Sequence, residues 1–437
     1  MSNPLDEIVR AHKKGENRGI TSICSAHPWV LKAAMRGEGT ALIESTCNQV
    51  NQFGGYTGMT PDAFVTYVHG LAAENSFPVE RLILGGDHLG PYVWKDEPAD
   101  TAMQKSEDMV RAYVRAGYTK IHVDASMKLG DDDPSCLLDM ELAARRAARL
   151  VKSAERTIAE HGTECQLRYV IGTEVPLPGG FATHEGAVSM TKVEDVHRML
   201  EVTRTAFLSE GLEAAWERVI ALVVQPGVEF GDDFIQNYNP EAVYGLAHFV
   251  ETTPYVYEAH STDYQTSDNL RNLIRDHFAI LKVGPALTFA FREAVFALAM
   301  IENELVPPVR RSHLIERLEE AMQREPAYWS NHYHGTEREM ALARKYSLSD
   351  RVRYYWAQPD VQAALHLLLK NFGEKPLPLS LLSQYYPRHY KNIREGRLGN
   401  SVRSILTESI LVVLRSYIQA CDPTSVGNDN QSYKDLR

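Results

Sequence analysis

The sequence predicts a (β/α)₈ barrel followed by a helical C-terminal extension. Eight short apolar stretches alternate with helix-like stretches, and almost every apolar stretch ends in a polar or charged side chain. The alternation stops after Val306-Pro307-Pro308. Strands that alternate with helices pair in parallel through crossover helices. Eight such units over roughly 290 residues match a closed barrel. An open doubly wound sheet is the competing architecture. It would more often have a glycine-rich phosphate turn after the first strand, and the sequence SAHPWV is not one.

The predicted strands are short apolar runs that end in polar residues or in turns. They cover residues 19–26, 41–45, 81–86, 120–123, 166–173, 219–224, 255–259 and 278–283. The predicted helices between them lie at about residues 28–36, from Pro61 onward, 100–116, 137–160, 192–218, 240–250, 268–276 and 286–304. Pro61 fits the first turn of a helix, where its missing N–H has no partner to lose.

The chain therefore divides into a barrel, residues 1–305, and a helical C-terminal extension, residues 306–437, packed on the barrel. The extension has predicted helices at about residues 311–324, 359–372, 378–384 and 401–420. The aromatic sequence QYYPRHY at residues 384–390 is either a partner surface or the side of the extension that packs on the barrel.

Composition excludes several classes of protein. The net charge of −11 argues against a nucleic-acid binder, which needs a basic face. No apolar run approaches the roughly 20 residues of a membrane span, and the N-terminus lacks the apolar core of a signal peptide. The five cysteines are odd in number and far apart, which indicates reduced thiols and a cytoplasmic location.

The ends of the predicted strands supply the candidate site. In a barrel these ends surround one mouth, where active sites are built. Burying so many charges at one rim is costly without a metal or a substrate, although any single member can equally be a structural ion pair. The strand ends are His27, Glu44, Asp87 with His88, Asp124, Glu174, Gln225, Glu258 with His260, and Lys282.

A divalent metal fits this set of residues. His88 and His260 are nitrogen ligands, Glu174 offers a carboxylate and Gln225 a carbonyl. Such a mixed set suits Zn²⁺, Mn²⁺, Ni²⁺ or Co²⁺ better than Ca²⁺. The ion would act as a Lewis acid on a carbonyl or an enediolate.

The neighbouring polar residues have two interpretations each. Asp87 either moves protons to and from a sugar hydroxyl or caps the next turn, with His88 packed beneath it. Asp124 and Lys282 either hold substrate hydroxyls and orient ligands, or form a salt bridge inside the barrel.

Several motifs resemble a known family. The sequences GGDHLGP, HVDAS, GTEVPLPGG, EAHSTDYQ and LLSQYYPRHY together resemble the tagatose-1,6-bisphosphate aldolase non-catalytic subunits, over nearly the whole chain. Some members of that family have an older label of tagatose-6-phosphate kinase. The sequence has no Gly-x-x-x-x-Gly-Lys-Ser/Thr nucleotide loop to support that label.

The family is in turn similar, more distantly, to class II metal-dependent ketose-bisphosphate aldolases. That resemblance implies a proton donor at Asp87 and metal ligands at His88 and His260, and it matches Glu174 to the glutamate after the fifth strand. Asp124 and Ser126 match the Asp-x-Ser motif after the fourth strand. We therefore expect Asp87 and Glu174 to be catalytic. The expected substrate-binding residues are Glu44, Asp124, Ser126 and Lys282. The expected metal ligands are His88, His260, Gln225 and Glu174.

Three departures from the aldolases leave two functions open. Gln225 stands nearest the position of a ligand histidine, Ser261-Thr262-Asp263-Tyr264 replaces a glycine-rich phosphate loop, and the sequence GPALT replaces an Asn-x-Asp motif. An aspartate in place of the loop would repel a phosphate. The resemblance implies a partner that stabilises a catalytic aldolase subunit. The alternative is a metal-dependent epimerase or aldolase that acts on a ketose or ketose phosphate. A homo-oligomer is compatible with either function.

Overall fold

The computed structural model describes residues 3–37, 39–161, 166–172, 188 and 190–422. Its strands are β1 (Ile20–Ile23), β2 (Ala41–Thr46), β3 (Leu82–Leu89), β4 (Lys120–Val123), β5 (Arg168–Ile171), β6 (Val219–Val223), β7 (Glu229–Phe230), β8 (Ile235–Gln236), β9 (Val256–Ala259) and β10 (Ile280–Val283). Eight of them close a parallel barrel in the order β1-β2-β3-β4-β5-β6-β9-β10. The predicted barrel is confirmed. The antiparallel β7–β8 hairpin, which is not part of the predicted pattern, lies between β6 and the next helix.

The helices on and after the barrel follow the predicted alternation. They are α1 (Pro4–Lys13), α2 (Pro28–Ala34), α3 (Pro61–Glu74), α4 (Ala99–Arg115), α5 (Met140–His161), α6 (Val193–Ser209), α7 (Glu213–Trp216), α8 (Pro240–Glu251), α9 (Ser267–Arg275), α10 (Pro285–Leu305), α11 (Leu314–Arg324), α12 (Glu337–Tyr346), α13 (Pro359–Phe372), α14 (Leu379–Tyr385), α15 (Pro387–Arg394) and α16 (Val402–Cys421). The helices α1, α12 and α15 are additional to those predicted.

Helix α1 closes the base of the barrel. Leu5 is buried in a cluster with Ile20 and Leu42 of the first two strands. The Asn3 side chain caps α1 by accepting the Leu5 N–H, and its amide donates to the carbonyl of Gln166 at 2.8 Å. The amino end of the chain is thus fastened to the end of the barrel opposite the candidate site.

The C-terminal extension packs on the barrel through α16, which contacts α10, α9 and α2. Helix α16 is long and apolar enough to cross a membrane, but 56% of its most apolar window is buried inside the protein, as in the core helix of a soluble domain. In the 384–390 stretch Tyr386 and His389 are buried, and Tyr386 donates to the carbonyl of Ala294 at 2.6 Å. One apolar cluster joins barrel and extension, and the domain boundary at residue 305 stays a prediction.

Candidate metal centre at the barrel mouth

The Asp87-His88 pair lies on a β-bulge. Gly86 pairs with Ile121, but the next pair is Leu89 with Val123, so β3 has one residue more than β4 over this interval. His88 takes a left-handed conformation with φ of 49°. Bulges redirect side chains and are common near active sites. The predicted strand end at Gly86 is therefore wrong, since β3 continues to Leu89 around the bulge.

Gly90 lets this segment approach the next strand. A Cβ atom at this position would lie 1.7 Å from the carbonyl oxygen of Asp124. Any other residue would push the end of β3 away from the end of β4. The glycine therefore helps to hold His88 against Asp124.

A layer of buried charges lies inside the barrel beneath the bulge. The Lys120 ammonium contacts Glu44 and Glu258 at 2.6 Å each, and all three side chains are fully buried. The Lys282 ammonium contacts Glu44 at 2.6 Å and Asp87 at 2.8 Å. Three carboxylates thus face two ammonium groups, so the layer has an excess of negative charge toward the mouth. Burial alone would lower the pKa of Lys282, but Asp87, Glu44 and Glu258 hold it well above its usual range.

Asp87 is an ionised carboxylate in this setting. Burial favours its neutral form, but His88, Lys282 and His122 outweigh burial and hold its pKa well below the usual range. Its Oδ1 lies 2.9 Å from His122 Nδ1, and its Oδ2 lies 3.7 Å from His88 Nε2. An ionised Asp87 can accept a proton before it donates one.

Three imidazoles converge beside Asp87. The ring centroids of His88, His122 and His260 lie 4.9 to 5.3 Å apart. One ligand atom from each ring and one Asp87 oxygen all lie within 4.8 Å of one another. His122 Nδ1 lies 2.9 Å from Asp87 Oδ1 and 3.2 Å from the backbone nitrogen of His88, and its buried Nε2 has no hydrogen-bond partner among the described residues. In the tautomer with the proton on Nδ1, this Nε2 is free to bind a metal.

Carboxylates orient two of these histidines. His88 Nδ1 donates to Asp124 at 3.0 Å, and Asp124 also accepts from the Ser126 hydroxyl at 2.6 Å. Burial opposes the charge on Asp124, but the hydrogen bond from His88 outweighs it and lowers the Asp124 pKa to about 2. His260 Nε2 donates to Glu258 at 3.0 Å. Burial lowers the His260 pKa to about 3, so this imidazole is neutral, as a metal ligand must be.

The residues present fit a divalent metal. Three imidazoles with one carboxylate form the nitrogen and oxygen set that Zn²⁺, Mn²⁺, Ni²⁺ and Co²⁺ accept. The histidine–carboxylate pairs match the outer contacts that fix metal-binding rings. A second cluster of Cys24, Glu44 and Asp87 is also close enough for a cation. There the ammonium of Lys282 already supplies the positive charge.

The other predicted site residues lie apart from this cluster. The Gln225 carbonyl accepts the backbone N–H groups of Gly227 and Val228, at 2.8 and 3.1 Å, which caps a turn. Glu44 belongs to the buried charge layer, and Asp124 and Ser126 support His88. Glu174 lies outside the described residues. The roles assigned to these residues stay predictions.

The sequence contained evidence for two residues that the prediction missed. Lys120 and His122 alternate with Ile121 and Val123 along β4, and Asp124 follows in the same phase. Alternate residues of a strand point to one face, and in a small barrel the interior face is normally apolar. The alternating polar residues of β4 therefore mark an interior that contains charges and ligands.

A cavity of about 110 Å³ opens above the cluster, and Asp87, His88, His260 and Lys282 line it. Asp263 lines it as well, and its carboxylate accepts the N–H groups of Gly284 at 3.0 Å and Ala286 at 2.8 Å. These donors lie at the start of α10, a position that elsewhere suits a phosphate. Here the protein's own carboxylate takes them.

The sequence profile of the family described as D-tagatose-1,6-bisphosphate aldolase subunit GatZ/KbaZ-like matches residues 5–422. The chain belongs to this family. It is 51% identical over 423 residues to the D-tagatose-1,6-bisphosphate aldolase subunit GatZ of Salmonella heidelberg (strain SL476), covering 96% of this chain and 99% of that relative. The subunit of the same name from Salmonella typhimurium (strain LT2) is 50% identical, with the same coverage.

One solved structure has the same fold, and its alignment with this chain covers 92% of this chain and 100% of the other chain. It is described as a probable tagatose 6 phosphate kinase from Sinorhizobium meliloti 1021. It superimposes with a TM-score of 0.85 at 43% sequence identity. The resemblance given by the sequence motifs is thus confirmed at the level of the GatZ/KbaZ-like family.

Proposed function

We propose that this chain is the subunit of a two-component D-tagatose-1,6-bisphosphate aldolase that stabilises the catalytic subunit. The family and the names of its relatives support this function. The observation that carries it is the Asp263 carboxylate, which takes the N–H groups of Gly284 and Ala286. Class II aldolases hold a substrate phosphate with a glycine-rich loop after the seventh strand, and this chain has Asp263 there instead. Catalysis on a bisphosphate therefore belongs to the partner. A cytoplasmic location and a homo-oligomer remain part of the proposal.

The stabilising role is tested by mixing purified chains. The catalytic aldolase subunit from the same organism is incubated at a temperature that inactivates it within an hour, with or without this chain. We expect its activity to persist several-fold longer when this chain is present, and equal concentrations of serum albumin to give no protection. An unchanged rate of inactivation, with no complex detected by size-exclusion chromatography, would exclude the partner function.

A second candidate function rests on the mouth cluster. A chain that only supports a partner has no physical need for three buried imidazoles beside an ionised aspartate and a buried lysine. We propose that His88, His122 and His260, with Asp87 beside them, hold a divalent metal. Bound there, the metal would supply Lewis-acid polarisation of a ketose carbonyl.

The side chains at the mouth are suited to retro-aldol chemistry. Asp87 would take the proton from the C4 hydroxyl as the C3–C4 bond breaks, giving an aldehyde and a three-carbon enediolate. The Lys282 ammonium, 2.8 Å from Asp87, keeps that carboxylate ionised and in place. If the aldehyde turns before the bond forms again, Asp87 returns the proton and the configuration at C4 is inverted.

Turnover by the isolated chain tests this second function. The protein is incubated with tagatose, fructose and their phosphates in the presence of Mn²⁺, Ni²⁺ or Zn²⁺, and products are identified by NMR. We expect the C4 epimer to form, and Asp87→Asn to abolish its formation. Absence of turnover on every sugar would leave only the partner function. A melting temperature that ATP does not change would exclude the kinase label.

A further inference from the structure

A second cavity adjoins the mouth, and the C-terminal extension forms one of its walls. Its volume is about 340 Å³, and it shares Gln49, Tyr56, Arg353 and Tyr354 with the cavity above the histidines. We call the two spaces the inner and the outer cavity. A volume in this range is that of an ordinary small-molecule site. Together the two cavities can hold a molecule longer than a three-carbon fragment.

The two cavities differ in charge. The inner cavity is lined by the carboxylates of Asp87 and Asp263 and by the ammonium of Lys282, and Arg353 lines both cavities where they join. No Asp or Glu among the described residues lines the outer cavity, and Arg353 is the one Lys or Arg there. An anionic group held by Arg353 on the outer side therefore stays away from the two carboxylates of the inner cavity.

Arg353 has hydrogen-bond donors to spare. Its Nη1 donates to the carbonyls of Ser349 and Asp350, and its Nη2 donates to the Tyr354 hydroxyl at 2.9 Å. The guanidinium has five N–H donors, so its Nε–H and one Nη2–H have no partner among the described residues. No described carboxylate lies within ion-pair distance of it. The Nε and Nη2 edge of a guanidinium is a planar fork that can bind phosphate in a bidentate way.

The segment that presents Arg353 is fastened to the barrel. Asp350 accepts from Arg292 of α10 at 3.0 Å and from Thr288 at 2.6 Å, and all three side chains are buried. The Tyr264 hydroxyl donates to the carbonyl of Leu348 at 2.5 Å. The guanidinium is thus held in place before any ligand arrives, which lowers the entropic cost of binding.

The outer cavity also contains an unused polar atom on the barrel side. His27 is 9% exposed, lines this cavity, and has a buried Nδ1 without a hydrogen-bond partner among the described residues. The described residues therefore leave this nitrogen unsatisfied beside the outer cavity.

We propose that Arg353 binds the phosphate of a ketose monophosphate in the outer cavity, with the sugar carbons extending to Asp87 and His88 in the inner cavity. This inference rests on the proposed sugar site at the mouth. It specifies one phosphate only, because Asp263 takes the backbone donors at the start of α10. Arg353 is thereby a specificity-determining residue that the extension supplies to the barrel.

Calorimetric titration of the full-length protein tests the proposal without a partner and without turnover. The probes are tagatose, tagatose 6-phosphate, tagatose 1,6-bisphosphate and inorganic phosphate. We expect tagatose 6-phosphate to bind at least about 10-fold more tightly than tagatose and more tightly than the bisphosphate. Because a hydrogen bond to a charged group contributes about 1.5–3 kcal/mol, we expect Arg353→Gln to weaken 6-phosphate binding about 10- to 100-fold while tagatose binding stays the same.

The matched control is Arg338→Gln, an exposed arginine of α12 in the same extension, which we expect to bind like the wild type. If circular dichroism shows that Arg353→Gln is misfolded, Arg353→Lys is tested instead. This variant keeps the positive charge and loses the planar fork of N–H groups, so we expect it to bind tagatose 6-phosphate at least about 5-fold more weakly than the wild type. The proposal is overturned if the folded variant binds tagatose 6-phosphate like the wild type, or if the wild type binds tagatose equally well. Either result leaves the stabilisation of the catalytic subunit untouched, since that assay uses no sugar at this site.

Discussion

The buried charge layer makes a sharp prediction for Lys120. The substitution Lys120→Met keeps the length of the side chain and removes its charge. It breaks ion pairs of 2.6 Å with Glu44 and Glu258. Asp87 already shares Lys282 with these two glutamates. The variant therefore leaves three buried carboxylates around a single ammonium group.

The magnitude follows from the burial of the three groups. Lys120, Glu44 and Glu258 are all fully buried, so water cannot replace the lost partner. Removing one member of a buried ion pair costs about 3–5 kcal/mol. At about 2.1 cal/mol/K per residue, unfolding this chain of 437 residues changes the entropy by about 0.9 kcal/mol/K, so each 1 kcal/mol lowers the melting temperature by about 1 °C. We therefore expect Lys120→Met to melt at least about 3 °C below the wild type.

The assay is thermal unfolding followed by circular dichroism in EDTA, so that bound metal does not contribute. The double variant Lys120→Met/Glu258→Gln removes one of the stranded charges and keeps an acceptor for His260. We expect it to recover a measurable part of the lost stability. The control is Lys152→Met, whose pair with Glu210 is partly exposed and contributes less than about 1 kcal/mol. A Lys120→Met variant as stable as this control would refute the charge layer.

Two further predictions concern the base of the barrel and Asp263. Leu5→Ala should lower the free energy of unfolding by about 2–4 kcal/mol, because Leu5 is 1% exposed in the cluster at the base of the barrel. The free energy is measured by urea titration, with Val9→Ala as the comparison. A loss for Leu5→Ala no larger than that for Val9→Ala would contradict the prediction. Burial raises the pKa of Asp263 to about 6, above the roughly 3.9 of an unfolded chain. Between these values the folded protein binds more protons at this carboxyl, so wild-type stability falls as the pH rises through the window. Asp263→Asn keeps the acceptor for Gly284 and does not titrate. From pH 4 to 7 the free energy of unfolding of this variant should rise, relative to that of the wild type, by at most about 3 kcal/mol. If the two free energies of unfolding change with pH in parallel, the raised pKa is excluded.

The barrel could be predicted because each strand is an apolar run with a clear end. The elements that were missed are short or locally determined. The β7–β8 hairpin has two residues per strand, too few to show a period. Helix α1 is short and half polar, and it is held by contacts with the barrel rather than by its own pattern.

The candidate site was predictable in part, for a physical reason. Strand ends identify Asp87, His88, His260 and Lys282, which the structure brings to one cavity. His122 lies within a strand and not at its end. Because the strand was interpreted as an apolar run, the inward-facing imidazole of His122 was not predicted. The turn cap made by Gln225 depends on a backbone conformation that spacing alone does not specify.

The mouth cluster as a metal site is the central claim, and metal content tests it most directly. Protein purified without chelator is dialysed against Zn²⁺, Mn²⁺, Ni²⁺ or Co²⁺, freed of excess metal, and analysed by mass spectrometry. We expect about one ion per chain in the wild type. The double variant His122→Ala/His260→Ala should retain almost none, whereas the control His197→Ala/His248→Ala, at two exposed histidines, should match the wild type. A full equivalent of metal in His122→Ala/His260→Ala, or none in the wild type with any of the four metals, would contradict the claim.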